Sequence, residues 1–331
     1  MLRWGLAGTS DIAATRMVPA MRRAGHVISA VSGRTRARAA EFAAAHGVGV
    51  WTDDVAELAA RDDVDAVYVS TPNALHCAHT LAVAAAGKHV LCEKPVALDL
   101  VDARSMVREC AAAGVVLAVN HHLPAHTTHT EIRRLVAAGA VGRPQAVRIF
   151  HAYRLAERLH GWRLTDAEAG GPVLDLVPHD ASVANTLVGR PLEVAALEAT
   201  VESWQAAAGD AAMAVVRYEG DVLCQIHLGW TVPYARTGIE VHGSEGSIVA
   251  EGVMQPDPVG SVVLHDAAGA REIALPERRD PYEVTVEAVA AAAAGTSRPV
   301  VDGAGGLWAV AVALAVREAA RSGRVTAVER S

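Results

Sequence analysis

The chain has 331 residues, a net charge of -7 and 51% hydrophobic residues, with aromatics at only 4%. That length suits about two domains, and an apolar content drawn mainly from alanine and valine points to helix-rich α/β packing rather than an aromatic all-β core. The acidic balance and the lack of a long basic run argue against nucleic acid or an anionic membrane surface as a partner.

The chain opens with a strand pattern at Arg3–Ala7, without a signal-peptide layout. It then runs into Gly8-Thr9-Ser10-Asp11-Ile12-Ala13 and a helix expected over Ile12–Ala24. Against the dinucleotide fingerprint G-x-G-x-x-G/A, the first glycine and the terminal alanine are kept, and Ser10 stands at the middle place. Gly8, Thr9, Ser10 and Ile12 are therefore candidate pyrophosphate contacts, because a free helix N-terminus favours an anion and the small Ser10 lets the backbone approach.

The second strand, Val27–Val31, ends at Ser32-Gly33-Arg34, ahead of a helix at Thr35–His46. A site specific for NAD would carry an acid here for the ribose 2′-OH. Instead Arg34, Arg36 and Arg38 follow, and guanidinium forks suit a 2′-phosphate. NADP is favoured over NAD, with Arg34 and Arg38 preferred to Arg36 beside Ser32.

Further helices are expected at Val55–Ala60, Ala74–Ala86 and Leu100–Ala113, with strands at Ala66–Ser70, His89–Cys92 and Val115–Val119. The alternation predicts a parallel sheet, whose strand C-termini line one crevice. Ser70-Thr71-Pro72-Asn73, Glu93-Lys94-Pro95 and Asn120-His121-His122 lie at such ends. Lys94 is the candidate proton-handling group, with a snorkelling surface lysine as the plainer alternative. Lys94-Pro95 is a candidate cis peptide that would aim the side chain.

The stretch from Asn120 to His129 holds four histidines. No cysteine joins them, and Glu131 is the lone nearby acid, so no metal is expected. Asn120 and His121 are expected to line the crevice, the other histidines to face solvent or a domain boundary.

After a helix at His126–Ala138 the period changes to strands: Ala146–Tyr153, Glu193–Glu202, Met213–Tyr218, Val222–Leu228, Ile239–His242, Ser247–Ala250, Ser261–His265 and Arg271–Leu275. This predicts a second α+β domain on an open, largely antiparallel sheet. Between the first two of these strands, Gly170-Gly171-Pro172 leads into an amphipathic helix. It carries Asp175 and His179 four apart on one face, a carboxylate and an imidazole suited to carbonyl or alcohol chemistry. The plainer alternative is a helix N-terminal Asp with a satisfied His.

Helices at Tyr282–Ala294 and Gly306–Ser322 close the chain. The apolar run Leu307–Val316 is ten residues, too short to span a bilayer. Cys77, Cys92, Cys110 and Cys224 show no CxxC spacing, and reduced thiols in a cytoplasmic protein are the expected reading. The expected domains are 1–121 and 122–331, with the last helix near their boundary.

The Gly8 turn, Ser70-Thr71-Pro72-Asn73-Ala74-Leu75-His76, Glu93-Lys94-Pro95, and Gly170-Gly171 leading to Asp175-xxx-His179 together resemble the glucose–fructose oxidoreductase / inositol dehydrogenase / MocA (Gfo/Idh/MocA) family over essentially the full chain. The resemblance implies a Rossmann domain followed by a substrate domain, and hydride transfer between NADPH and a sugar or polyol. It implies cofactor contacts from Ser70, Thr71, Asn73, His76, Glu93, Lys94 and Asn120. Lys94 and His179 would polarise and protonate a keto-sugar carbonyl, with Asp175 holding the substrate. His151, Trp162 and Arg163 would border the sugar or the nicotinamide. Leu123-Pro124-Ala125 and Pro172 depart from the family pattern near the crevice, which leaves the sugar open.

Three other readings stay open. One is oxidation of a sugar or inositol hydroxyl with NAD, another a glycosidase that retains NAD, and the third a non-catalytic nucleotide sensor. A homo-oligomer paired through the second-domain sheet is also expected.

Overall fold

The computed structural model describes residues 1–202, 204 and 206–329. Contacts divide the chain into two compact units, Met1–His121 with Tyr282–Leu307, and His122–Pro281 with Trp308–Ser331.

In the first unit, β1 (Arg3–Ala7), β2 (Val27–Ser32), β3 (Trp51–Thr52), β4 (Ala66–Val69), β5 (His89–Cys92) and β6 (Leu117–Val119) form one sheet in the order β3-β2-β1-β4-β5-β6. All its pairings are parallel. β4 and β6 are buried at every position, as parallel strands covered on both faces are. The strand order reverses between β1 and β4, and in such doubly wound sheets ligands bind beyond the strand C-termini at that switch. Gly8, Ser70 and Glu93-Lys94 stand at the C-terminal ends of β1, β4 and β5.

Two details differ from expectation. The first helix opens as a π-helical turn over Ala13–Met17 and becomes α-helical at Val18–Arg23. Pro19, which has no N–H for the ladder, lies in the first turn of that α-helical part. The short strand β3 went unforeseen because two residues carry no readable period; it pairs Val31 with Trp51 and Ser32 with Thr52.

The segment Tyr282–Leu307 groups with the first unit, although the chain order assigns it to 122–331. Tyr282, Val286 and Val289 pack into the core of Trp4, Leu6, Met17 and Met21. Beyond that helix, the Val119 N–H donates to the Val301 carbonyl at 3.0 Å and Asp302 bridges Ala118. An apolar helix face announces burial, not the surface it is buried against.

The second unit is built on a nine-stranded sheet. Its strands are β7 (Pro144–Ala152), β8 (Pro191–Ala199), β9 (Ala211–Tyr218), β10 (Leu223–Gly229), β11 (Gly238–Gly243), β12 (Gly246–Glu251), β13 (Ser261–Asp266), β14 (Gly269–Glu272) and β15 (Thr326–Ala327). The order is β14-β13-β12-β11-β7-β10-β9-β8-β15, and only β7 with β10 is parallel. Alternation along β9 and β10 sends Ala212, Ala214, Val216, Cys224, Ile226 and Leu228 inward. It leaves Met213, Val215 and Leu223 exposed on the other face.

The helix Gly171–Val188 lies on β7, β9 and β10, and helices Thr127–Ala137 and Gly161–Thr165 also pack against it. Every residue from Gly171 to Ala184 is buried, so it is a central helix rather than the amphipathic one expected. Covered on more than one side, it has no need of a polar stripe. Pro172 falls in its first turn, where a missing N–H costs nothing.

The final helix is longer than the apolar run inside it, Gly303–Ser322, with mean hydropathy 1.3 in its most apolar window. By length and composition it passes for a membrane span, and 61% of that window is buried inside the chain, the character of a core helix.

Candidate active site

The first unit holds the nucleotide loop. Gly8 has φ +116° and donates its N–H to the Ser32 carbonyl at 2.9 Å. A Cβ there would meet the Ser70 carbonyl carbon at 2.8 Å, so only glycine lets β1 and β4 end this close together. Ser10, expected to meet phosphate, donates its hydroxyl to Ser70 Oγ at 2.9 Å and accepts from the Ala13 N–H at 3.2 Å. It thus shapes the turn. Thr9 and Ile12 are half-buried beside it, and Ser32 is buried at the end of β2.

Arg34, Arg36 and Arg38 are all exposed. Arg36 lies 3.9 Å from Asp53, an acid at the end of β3 that sequence reasoning passed over. The Thr35 side chain caps the helix Arg36–Ala45 by accepting from the Arg38 N–H. Arg34 and Arg38 have no carboxylate of a described residue within ion-pairing distance.

A second cluster lies at the ends of β4 and β5. The Glu93 carboxylate accepts from Tyr68 Oη and from Asn120 Nδ2, both at 2.5 Å, and from the Lys94 N–H at 3.2 Å. Burial lifts the Glu93 carboxyl above the usual carboxylate range, although its bonds to Tyr68 and Asn120 pull it down. The same burial drives the Tyr68 phenol upward. Lys94 is half-buried, and the Lys94-Pro95 bond is cis.

His76 reaches Thr71 O at 3.0 Å with Nε2 and Pro95 O at 2.9 Å with Nδ1, so it spans the two loops. Both partners are acceptors, and a neutral ring can donate to only one at a time. Thr71 Oγ1 meets His79 at 3.0 Å, and Asn73 begins the short turn Asn73–Leu75. Burial and the Lys94 charge bring His121 down from 6.5 to about 3, so this ring is neutral beside the ammonium.

The residues fit a dinucleotide. Gly8 leaves open a cradle that any side chain would fill. Asn120, only 1% exposed, keeps an Oδ1 without a described partner at the same strand ends.

The second unit holds the other named residues. Asp175 and His179 are both buried on the helix Gly171–Val188. Gly171, at φ +81°, starts that helix where a Cβ would stand 2.6 Å from Ala208 O. Arg163 donates from Nε to Asp175 Oδ2 at 2.9 Å, and its guanidinium lies 4.7 Å from the Trp162 ring centre. Trp162 itself is 42% exposed.

The His179 ring packs edge-on to His122 at 4.9 Å and stands 6.4 Å from His151. His151 Nδ1 bonds Asp180 Oδ1 at 2.7 Å, with Tyr153 5.9 Å away. Asp180, Tyr153 and His122 were missed. Asp180 follows His179 directly, and nothing in its spacing marks it, because its partner His151 lies on a different element.

His122, His126 and His129, expected to face solvent or a domain boundary, are buried rather than solvated, and His122 is the first residue of the second unit. His126 Nε2 reaches Asp257 O at 2.8 Å, and His129 Nε2 reaches Val253 O at 2.9 Å. They tie their segment to Val253–Asp257 of the same unit. Among the described residues no group of three or more His, Cys, Asp or Glu is placed to hold a metal.

Residues 2–121 match the Gfo/Idh/MocA oxidoreductase family, NAD-binding Rossmann fold, and residues 129–249 match the GFO/IDH/MocA C-terminal domain. The 1,5-anhydro-D-fructose reductase of Ensifer adhaerens is 41% identical over 331 residues, 99% of each chain. A D-xylose 1-dehydrogenase (NADP(+)) of Haloferax volcanii is 27% identical, covering 91% of this chain and 92% of its own. The aldose-aldose oxidoreductase of Caulobacter crescentus, crystallised with glycerol, shares the fold with TM-score 0.89 at 24% identity, over 98% and 99% of the two chains.

Proposed function

The chain belongs to the Gfo/Idh/MocA oxidoreductase family, and on that footing we propose that it is an NADPH-dependent reductase of a keto-sugar carbonyl, 1,5-anhydro-D-fructose being the first candidate. The observation that carries this reading is the full-length likeness to a reductase of that ketone in a chain that keeps Lys94, Asp175 and His179. When bound, NADPH supplies the hydride.

The chain's own residues handle the charge this creates. The Lys94 ammonium, whose charge acts on the Glu93 carboxyl held by Tyr68 and Asn120, polarises the carbonyl oxygen. His179 gives that oxygen its proton from a ring nitrogen, and the ring recovers a proton from solvent. Asp175, aimed by Arg163, accepts from a substrate hydroxyl. Thr9, Ser32, Ser70, Thr71 and Asn73 would hold the dinucleotide, and Arg34 and Arg38 would meet its 2′-phosphate. His151 and Trp162 would border the sugar.

The test is NADPH consumption by the purified protein over a keto-sugar panel that includes 1,5-anhydro-D-fructose. Reduction with NADPH preferred over NADH is expected. No turnover of any keto-sugar overturns the reading. The Haloferax relative works as a dehydrogenase by name, so NADP reduction by the matching alcohols is run alongside; oxidation alone would reverse the proposed direction.

A cytoplasmic location accords with four buried free thiols. For the outer face of β8, β9 and β10, where Leu197, Met213, Val215 and Leu223 are exposed, the proposed partner is a second copy of the chain. Monomer mass by light scattering overturns that.

A further inference from the structure

We propose that Asp180 and His151 form a substrate-reading dyad, in which Asp180 is a positioning residue and His151 Nε2 meets a hydroxyl on the carbon next to the reacting carbonyl. The inference rests on the keto-sugar reductase reading above.

Asp180 is fully buried and His151 is 5% exposed. Asp180 Oδ1 bonds His151 Nδ1 at 2.7 Å, while Oδ2 has no described partner. The nearby Tyr218 hydroxyl donates elsewhere, to Asn185 Oδ1 at 3.0 Å. A buried carboxylate with a single bond is a costly arrangement. An asparagine would make the same bond to Nδ1 without the charge. The charge therefore points to an effect on the ring it holds. Burial works against the charged form of Asp180, and the bond to His151 works for it.

The bond also fixes which way the ring looks. With Nδ1 tied to Asp180, Nε2 is the imidazole's other polar atom, and no described residue bonds it. Whichever form the ring takes, the Nδ1–Oδ1 bond remains and Nε2 is either a donor or an acceptor. A substrate hydroxyl can answer both states because it donates and accepts. A hydrogen in its place can answer neither.

The ring sits 6.4 Å from His179, with 60° between their planes. The two imidazoles are side by side, not stacked, and can address neighbouring oxygens of one small molecule. If His179 serves the carbonyl oxygen, His151 serves the oxygen next to it. The substrate class is accordingly an α-hydroxy ketone of a sugar.

The experiment compares pairs of keto-sugars that differ only in that adjacent hydroxyl, hydroxy against deoxy, with wild type, Asp180→Asn and His151→Gln. Wild type should favour the hydroxy partner in kcat/KM by about 10²–10⁴-fold, since a site built to bond a hydroxyl rejects an analogue lacking it. Each variant should cut the hydroxy rate and shrink that preference to about tenfold or less, the loss on the deoxy partner being much the smaller. Equal rates of wild type on both partners overturn the dyad without using a variant. Equal losses by a variant on both partners overturn it too, because a merely structural role lowers both. If wild type reduces no keto-sugar at all, the function falls and the dyad falls with it.

Discussion

The Lys94 cluster of the first unit and the histidine cluster of the second unit reach similar ends by different means. In the first, the lysine stands at a strand end, and its support comes from neighbouring parallel strands. Tyr68 is the last residue but one of β4, Glu93 follows β5 and Asn120 follows β6, so the ends of three strands supply one hydrogen-bonded bed. In the second, a single buried helix carries Asp175, His179 and Asp180, and the rest comes from β7 and the turn at His122. A parallel sheet gathers groups from far apart in sequence at one edge. A buried helix presents neighbours in sequence on different sides, Asp175 toward Arg163 and Asp180 toward His151.

The largest expected effect asks whether both clusters do chemistry. Lys94→Ala and His179→Ala should each lower kcat/KM by about 10²–10⁴-fold, the usual worth of a positioned acid. If either variant keeps near-full NADPH-linked reductase activity, its cluster is a scaffold and the comparison breaks.

Acid stability comes next and touches both units. His121 in the first and His129 in the second are each brought from 6.5 to about 3, mainly by burial. Between those values the folded rings are neutral and the unfolded rings bind protons. The unfolded state thus holds more protons, and stability rises with pH from about 3 to 6.5 and is flat above. Denaturant melts should show a loss on the order of a few kcal/mol on acidification. His121→Gln and His129→Gln should each flatten that slope; an unchanged slope in either removes that histidine from the account.

Tyr68→Phe sharpens the first cluster alone. Taking one donor from the buried Glu93 carboxylate should cost about 1–3 kcal/mol in melts. A melt within about 0.5 kcal/mol of wild type would show the bed to be dispensable.

Smaller effects are expected at the cofactor rim. Arg34→Ala and Arg38→Ala should each weaken NADPH about tenfold with NADH unchanged, read by cofactor titration. Arg36→Ala, whose side chain lies near Asp53, should change NADPH binding by about twofold or less. A larger loss at Arg36 than at Arg34 reverses the order argued from the sequence.

Legibility differed between the two regions. Around Lys94, strand alternation and punctuation by Gly8, Ser70, Glu93 and Asn120 were readable because each sits at the end of an apolar run. Tyr68 was not, since a tyrosine within a buried strand reads as core. In the second unit the four-residue step from Asp175 to His179 was readable, while Asp180 was not. Its role depends on His151, 29 residues earlier on a different element. For the histidines from His122 to His129 solvent and a domain boundary both stayed open, because a polar residue looks solvated until its carbonyl partner, such as Val253 O, is known.

Local order came from the chain itself. Period-2 and period-3.6 patterns announced most strands and helices, the Gly8 turn announced a close backbone approach, and Lys94-Pro95 marked the strand end where the lysine projects. These follow from neighbours within a few residues. Long-range pairing came from the fold: that Tyr282–Ala293 joins the first unit's core, that Gly171–Val188 is buried throughout its first turns, that Asp53 approaches Arg36, and that Asp180 holds His151. Sequence patterns show that a face must be covered or a charge answered. The partner that does so is chosen only when distant segments compete to fill the same space.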